Sequence, residues 1–173
     1  MKKTILAMVV LAIPALSQTT VKDALVKHWK ITGDFTIAVA KAMPAGDYGF
    51  KPDKDEMSFG QLMAHIGAAD IGTCAVVSGM QRPDEPAKIA AFRKSDKTEI
   101  DRDTAIEYLT LVFGFCGKAV ESMTWEKLDA KVGTSQLSGF ERLWSYFTHT
   151  SHHRGQAEVY LRVKGITPPV YVF

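Results

Sequence analysis

The residues of this sequence best able to do chemistry are its histidines, and two of them have a spacing that suits a metal ion. His149 and His153 are four residues apart, so in a helix their imidazoles project from one face about one turn apart. A rigid helix offers a divalent cation two ligands in this way. A third ligand is needed, and His65 is the candidate because it lies one turn after Leu62 and one before Ala69, on the apolar stripe of another predicted helix.

The type of ligand limits which metal ions can bind and which reactions they can support. Three neutral imidazoles that leave one coordination position open suit zinc, nickel, copper or ferrous iron, whereas magnesium and calcium prefer oxygen ligands. A metal held in this way can lower the pKa of a bound water towards about 7 and polarise a carbonyl. It can also stabilise a thiolate. We therefore expect metal-dependent hydrolysis or thiol transfer, acting on a small-molecule substrate that the sequence does not identify.

The same residues allow two alternatives without catalysis. A pair of histidines four apart is by itself weak evidence, so the protein could bind a metal or small ligand without turnover, or could be a structural, dimerising bundle with hydrogen-bonded core histidines. No HExxH motif supplies a general base, and Glu158 points about 180° away from His149 on the helical wheel. Asp34 and Asp70 are further carboxylates, but the sequence does not define their positions relative to the histidines.

Four amphipathic segments position these residues. Helical spacing of apolar residues predicts four long helices, over residues 21–43, 58–79, 101–123 and 138–164. Ser58 with Gln61, and Ser138 with Glu141, have the spacing of capping boxes that begin the second and last helices. Gly165 provides a left-handed stop for the last helix. No hairpin signal and no internal repeat is visible, so the sequence predicts an all-α protein, a four-helix bundle.

The connecting segments have less definite patterns. Residues 45–57 are expected to form a loop, a turn of helix is expected within residues 87–92, and residues 124–137 form a connector of undefined structure.

Composition limits the classes of protein that fit. The chain has 173 residues, 46% hydrophobic and 23% charged, with a formal net charge of +2. These values are typical of one globular domain and exclude a disordered chain. The small net charge and the lack of a basic run argue against a nucleic-acid partner, and no phosphate-binding loop or dinucleotide fingerprint is present.

The N-terminus has the pattern of an export signal. Lys2 and Lys3 precede an apolar run, and Ala15 and Ser17 provide small residues at a cleavage site. The apolar run, residues 5–16, is shorter than the roughly 20 residues of a membrane span. We therefore expect a signal peptide at residues 1–17 and a single mature domain at residues 18–173, periplasmic or secreted, with no membrane attachment after cleavage.

The two cysteines, Cys74 and Cys116, are too few for a disulfide scaffold and too far apart for a metal knuckle. Cys74 lies nine residues past His65, on the opposite face of the helix, so we expect it to pack in the core rather than to act as a nucleophile. Export would permit a disulfide between the two cysteines, and the sequence leaves that pairing open.

Two motifs carry a resemblance to a known family. The segment FGQLMAHI at residues 59–66 and the segment HTSHHRGQ at residues 149–156 resemble the DinB-like family, and the ending at residues 160–169 and the FKP segment at residues 50–52 are also similar to it. The resemblance covers residues 21–169. It implies a four-helix bundle in which three histidines hold a divalent metal such as zinc, nickel or iron, and these correspond to His65, His149 and His153.

The family includes thiol-dependent transferases and isomerases, and its members often form dimers, so a homodimer is expected here as well. Export weakens the link to cytosolic thiols. The resemblance implies no DNA binding.

Other residues near the motifs have expected positions. Gln156 and Tyr160 lie on the face of His149, where Gln156 could orient a ligand and Tyr160 could donate a hydrogen bond to substrate. Arg154 points outward, where we expect a salt bridge to another helix. We expect His28 and His152 to lie outside the site. The three tryptophans are expected in the core: Trp29, Trp125 and Trp144.

Overall fold

Four long helices, with two short ones between them, form the frame of the protein in a computed structural model that describes residues 20–95, 97–134 and 136–171. The predicted signal peptide, residues 1–17, lies outside the described residues. The helices, in chain order, are α1 (Val21–Ala42), α2 (Phe59–Ser78), α3 (Ala87–Lys94), α4 (Arg102–Glu121), α5 (Trp125–Asp129) and α6 (Gly139–Val163). The all-α prediction is confirmed.

Local sequence sets the ends of the helices that carry the histidines. At α2 the Ser58 side chain accepts from the Gln61 backbone N–H and the Gln61 side chain accepts from the Ser58 backbone, so the predicted capping box is present. Ser138 and Glu141 form the corresponding box at α6. After α6, Gly165 has φ of 74°, the left-handed conformation that ends a helix at low cost for glycine.

The long helices are arranged so that α2 packs against α4 and α6, and α1 packs against the same two helices. α1 and α2 are therefore diagonal to each other, and the histidine-bearing helices α2 and α6 are neighbours. A close contact of α2 with α4 depends on Gly67, where a Cβ atom would lie 2.6 Å from the Tyr108 ring. This contact sets the distance between α2 and α4 two residues from His65.

A disulfide joins Cys74 of α2 to Cys116 of α4. Both side chains are fully buried, as predicted for Cys74, and the pairing that the sequence left open is present. The connectors hold more helix than the sequence indicates. α3 extends the predicted turn. The connector at residues 124–137 contains α5, and its Lys131 forms an antiparallel bridge with Ser138 at the start of α6.

The prediction that all three tryptophans pack in the core is right only for Trp29, which is 2% exposed. Trp125 and Trp144 are 55% and 52% exposed. The Trp144 ring stacks between Phe140 and Phe147 of its own helix, α6. Across the described ranges, no helix combines the length and apolar character that a membrane crossing requires.

Candidate metal centre

The structure brings together the three histidines that the sequence singles out. His65 on α2 and His149 and His153 on α6 each offer a ring nitrogen, and these nitrogens all lie within 4.8 Å of one another. His65 Nε2 and His149 Nε2 are 3.2 Å apart. All three side chains are half-buried. Helix periodicity aligns the pair on α6, and the packing of α2 beside α6 adds the third imidazole.

Gln156 contacts one member of this cluster. His153 Nδ1 lies 2.7 Å from Gln156 Oε1, and because an amide oxygen only accepts, the ring donates its Nδ1 proton to it. The Nε2 lone pair of His153 is then free to bind a cation, which is the arrangement that neighbours of metal-binding histidines usually provide. The Nδ1 atom of His149 is buried and has no hydrogen-bond partner among the described residues.

The surroundings favour the neutral form of two of these imidazoles, those of His149 and His65. The pKa of His149 is lowered to about 4, mainly by burial and then by the positive charges that His153, His65 and His152 would carry. Burial, with a smaller contribution from His153, also lowers the pKa of His65. Neutral imidazoles keep the lone pairs that a metal needs. The donor set therefore fits a late first-row divalent ion, for which imidazole is a preferred ligand, better than magnesium or calcium.

A cavity of about 540 Å³ gives access to His65. Its wall includes Gln61 and Phe92, and its charged residues come from the loops before α2 and before α4: Lys51, Asp55, Glu56, Lys97 and Glu99. These charged residues lie in loops without a periodic pattern, so the sequence holds no signal that would assign them to a site. Only the resemblance at residues 50–52, which contain Lys51, indicated part of this wall.

Tyr160 uses its hydroxyl within the protein. The group donates to the carbonyl oxygen of Met57 at 3.1 Å, and the residue is only 4% exposed. Its ring is edge-on to Phe50, with centroids 6.2 Å apart. Tyr160 therefore connects the C-terminal end of α6 to the loop that carries part of the cavity wall.

The prediction for Arg154 is wrong. The residue is 4% exposed rather than outward, and its Nη1 lies 3.5 Å from both the Thr32 carbonyl oxygen and the Thr36 hydroxyl of α1. No carboxylate of the described residues forms a salt bridge with it. Its guanidinium lies 4.8 Å from the Phe35 ring centroid. α6 has packed neighbours on two sides, so the face turned away from the histidines meets α1 instead of water.

The two carboxylates that the sequence could not place lie outside the histidine cluster. Asp34 is exposed on α1 and pairs with Lys30. Asp70 is fully buried on α2 and accepts a hydrogen bond from Thr150. The other two histidines, His28 and His152, are exposed and are not members of the cluster, as expected.

Comparisons with known proteins support the same architecture. A family model described as the DinB superfamily matches residues 28–157, a range that includes all three clustered histidines. A DinB-like protein of Bacillus subtilis, YjoA, has a solved structure similar to this one with a TM-score of 0.66, at 24% identity over 86% of this chain and 97% of that chain. A DinB-like protein of Bacillus cereus gives a TM-score of 0.70, at 18% identity over 87% and 97%.

At these identities, the likeness to the solved structures shows the fold. Comparison with curated proteins gave no match.

Proposed function

The chain belongs to the DinB superfamily, and we propose that it is an exported protein that binds one divalent transition-metal ion through His65, His149 and His153 and hydrolyses a small molecule at that site. The three ring nitrogens within 4.8 Å of one another are the observation that supports metal binding most directly. Zinc, nickel and iron are the candidate ions, because neutral imidazoles suit all three.

When bound, a metal ion with three imidazole ligands supplies a Lewis acid and a water of lowered pKa. The residues of this chain orient the ligands, accept a proton and attract the substrate. Gln156 holds the proton of His153 on Nδ1, which keeps Nε2 available as a ligand atom. Glu56 and Glu99 are carboxylates at the cavity, and one of them accepts the proton of the attacking water. Lys51 and Lys97 attract an anionic group of the substrate.

The disulfide supports the exported location and, through it, hydrolysis over thiol transfer. Disulfides persist in oxidising compartments and are rare in the cytosol, and the buried Cys74–Cys116 bond joins α2 to α4. In such a compartment a low-molecular-weight thiol is a less available co-substrate than water. Together with the N-terminal pattern, the disulfide favours a periplasmic or secreted protein. A homodimer stays a prediction, as does the soluble state after signal cleavage.

Elemental analysis of the full-length gene product, exported by the expression host and purified without a histidine tag, tests metal binding. We expect about one metal ion per chain in the wild type, since three ligands define one site. His149→Ala should lose the ion. His152→Ala is the matched control, because it removes an exposed imidazole of the same helix and should retain it. A metal-free wild type that cannot be reloaded would refute the proposal.

Turnover is tested separately on the loaded protein. A panel of esters, amides, lactones and phosphoesters, with thiol-transfer substrates for comparison, should yield a hydrolytic activity that chelation abolishes. Glu56→Gln and Glu99→Gln should retain the metal, and one of them should lose most of the rate. Stoichiometric metal without turnover on any substrate would favour a non-catalytic binding protein.

A further inference from the structure

A buried polar pair joins the two helices that carry the histidines. Thr150 Oγ1 of α6 donates to Asp70 Oδ2 of α2 at 2.8 Å, and the two residues are 1% and 0% exposed. Asp70 Oδ1 is buried and has no hydrogen-bond partner in the part of the chain that the structure describes. Two apolar side chains would avoid the cost of burying these polar atoms, so the pair is not explained by stability alone.

The pair lies close in sequence to the proposed ligands on both helices. Thr150 directly follows His149, and Asp70 is five residues after His65. Four residues beyond Asp70, the disulfide from Cys74 attaches α2 to α4. α2 is therefore connected to α4 by a covalent bond and to α6 by this hydrogen bond within about one turn of helix.

Apolar faces alone leave the register of two helices loosely defined, whereas one buried polar contact has a single satisfied arrangement. Register matters here because a one-residue slip of α6 along α2 moves its side chains by about 1.5 Å. Metal–ligand distances tolerate only about 0.2 Å. The three clustered nitrogens come from both helices, so such a slip would separate His65 from the pair on α6.

We infer that Asp70 and Thr150 are positioning residues, whose hydrogen bond holds α2 and α6 in the register that brings His65 to His149 and His153. The inference rests on the proposed metal site and assigns a role to two residues outside the ligand set. Burial raises the pKa of Asp70 to about 8, so at neutral pH the contact is between two uncharged groups.

The test replaces the polar pair by apolar side chains of similar combined volume, in the double variant Asp70→Val/Thr150→Ala. Zn²⁺ affinity is measured by competition with a chromophoric chelator, the ligand field by the visible absorption of the Co²⁺-loaded protein, and stability by urea unfolding of the metal-free protein. We expect the variant to bind Zn²⁺ at least about tenfold more weakly, with a changed Co²⁺ spectrum. Its stability should equal or exceed that of the wild type.

Three further variants test whether a loss of Zn²⁺ affinity comes from the Asp70–Thr150 hydrogen bond. Asp70→Asn keeps an oxygen that accepts from Thr150, so it should retain near wild-type Zn²⁺ affinity. Thr150→Val removes the donor and should weaken binding, and this single variant carries the test if the double variant does not fold. Thr73→Val is the control, because it removes another buried hydroxyl of α2 and should leave Zn²⁺ affinity unchanged.

The possible outcomes separate the two proposals. Wild-type protein that binds Zn²⁺ or Co²⁺, together with a folded double variant of equal affinity and spectrum, would overturn the positioning role and leave the metal site standing. A loss of affinity in Thr73→Val as large as in Thr150→Val would also overturn it, because the effect would then be general to the core. A wild type that binds neither ion would refute the metal site itself, and the positioning role with it.

Discussion

The buried carboxyl of Asp70 makes a specific prediction about stability and pH. Asp70 is completely buried on α2, and burial raises its pKa from the ordinary 3.8 to about 8, against a smaller lowering by the hydrogen bond from Thr150. Between these two values the folded protein holds a proton that the unfolded chain releases. The free energy of unfolding is therefore highest below the pKa of the unfolded chain. This stability is lost as the pH rises from that value through the pKa of the folded protein.

The substitution Asp70→Asn keeps the shape and an acceptor for Thr150 but has no proton to lose. Each pH unit between the two pKa values changes the free energy of unfolding by about 1.4 kcal/mol. From about pH 5 to about pH 7.5, the wild type should thus lose roughly 3 kcal/mol relative to Asp70→Asn. This difference in free energy is an upper bound, because local relaxation and water entry reduce the penalty of a buried charge.

The measurement is urea unfolding of both metal-free proteins, in chelator, at several pH values across that range. His149 has the opposite dependence: its pKa is lowered to about 4, so its contribution to stability decreases as the pH falls below the ordinary histidine value of 6.5. This contribution is common to both proteins and cancels in their difference. Curves that stay parallel from pH 5 to pH 7.5 would show that Asp70 is ionised in the folded protein and refute the reasoning.

Three single contacts have measurable consequences of their own. Gln156→Leu removes the acceptor of the His153 Nδ1 proton and should weaken Zn²⁺ binding about tenfold, measured by chelator competition; unchanged affinity would show that the contact does not orient the ring. Tyr160→Phe removes the bond to the Met57 carbonyl and should cost about 1 kcal/mol in urea unfolding with no loss of Zn²⁺ affinity, whereas a large loss of affinity would place the hydroxyl in the metal site. Reducing the disulfide, which spans 42 residues, should cost roughly 4 kcal/mol, measured by thermal unfolding with and without reductant; an unchanged midpoint would contradict a stabilising role.

Several features could be predicted because they depend on neighbours in the chain. Helix geometry alone puts His149 and His153 on one face, and the capping boxes at Ser58 and Ser138 are contacts over three residues. The apolar stripe of the second predicted helix indicates His65 as the third ligand, and the resemblance to the DinB-like family, now supported by the match over residues 28–157, implies the same residue. These predictions depend on spacings within one helix, which are the same whichever helix packs against it.

Other features depend on which helix lies opposite, and periodicity does not contain that information. The helical wheel predicts that Arg154 points outward, whereas the residue is buried against α1. The reason is that α6 has two packed neighbours, and an amphipathic pattern indicates only one packed face. Trp144 shows the reverse error, since its ring stacks on its own helix and stays exposed. The sequence leaves the pairing of the two cysteines open for the same reason, because that pairing depends on α2 and α4 being adjacent.

The four long helices, the capped starts of α2 and α6 and the histidine pair of α6 follow from the order of residues in the chain, since hydrogen bonds and side-chain directions within a helix involve residues only three or four apart. Helix packing produced the rest of the candidate site. It brought His65 to the pair, buried Asp70 against Thr150 and gathered Glu56 and the other charged loop residues around one cavity. These contacts join residues far apart in the chain, and only the packing of complete helices determines which of them meet.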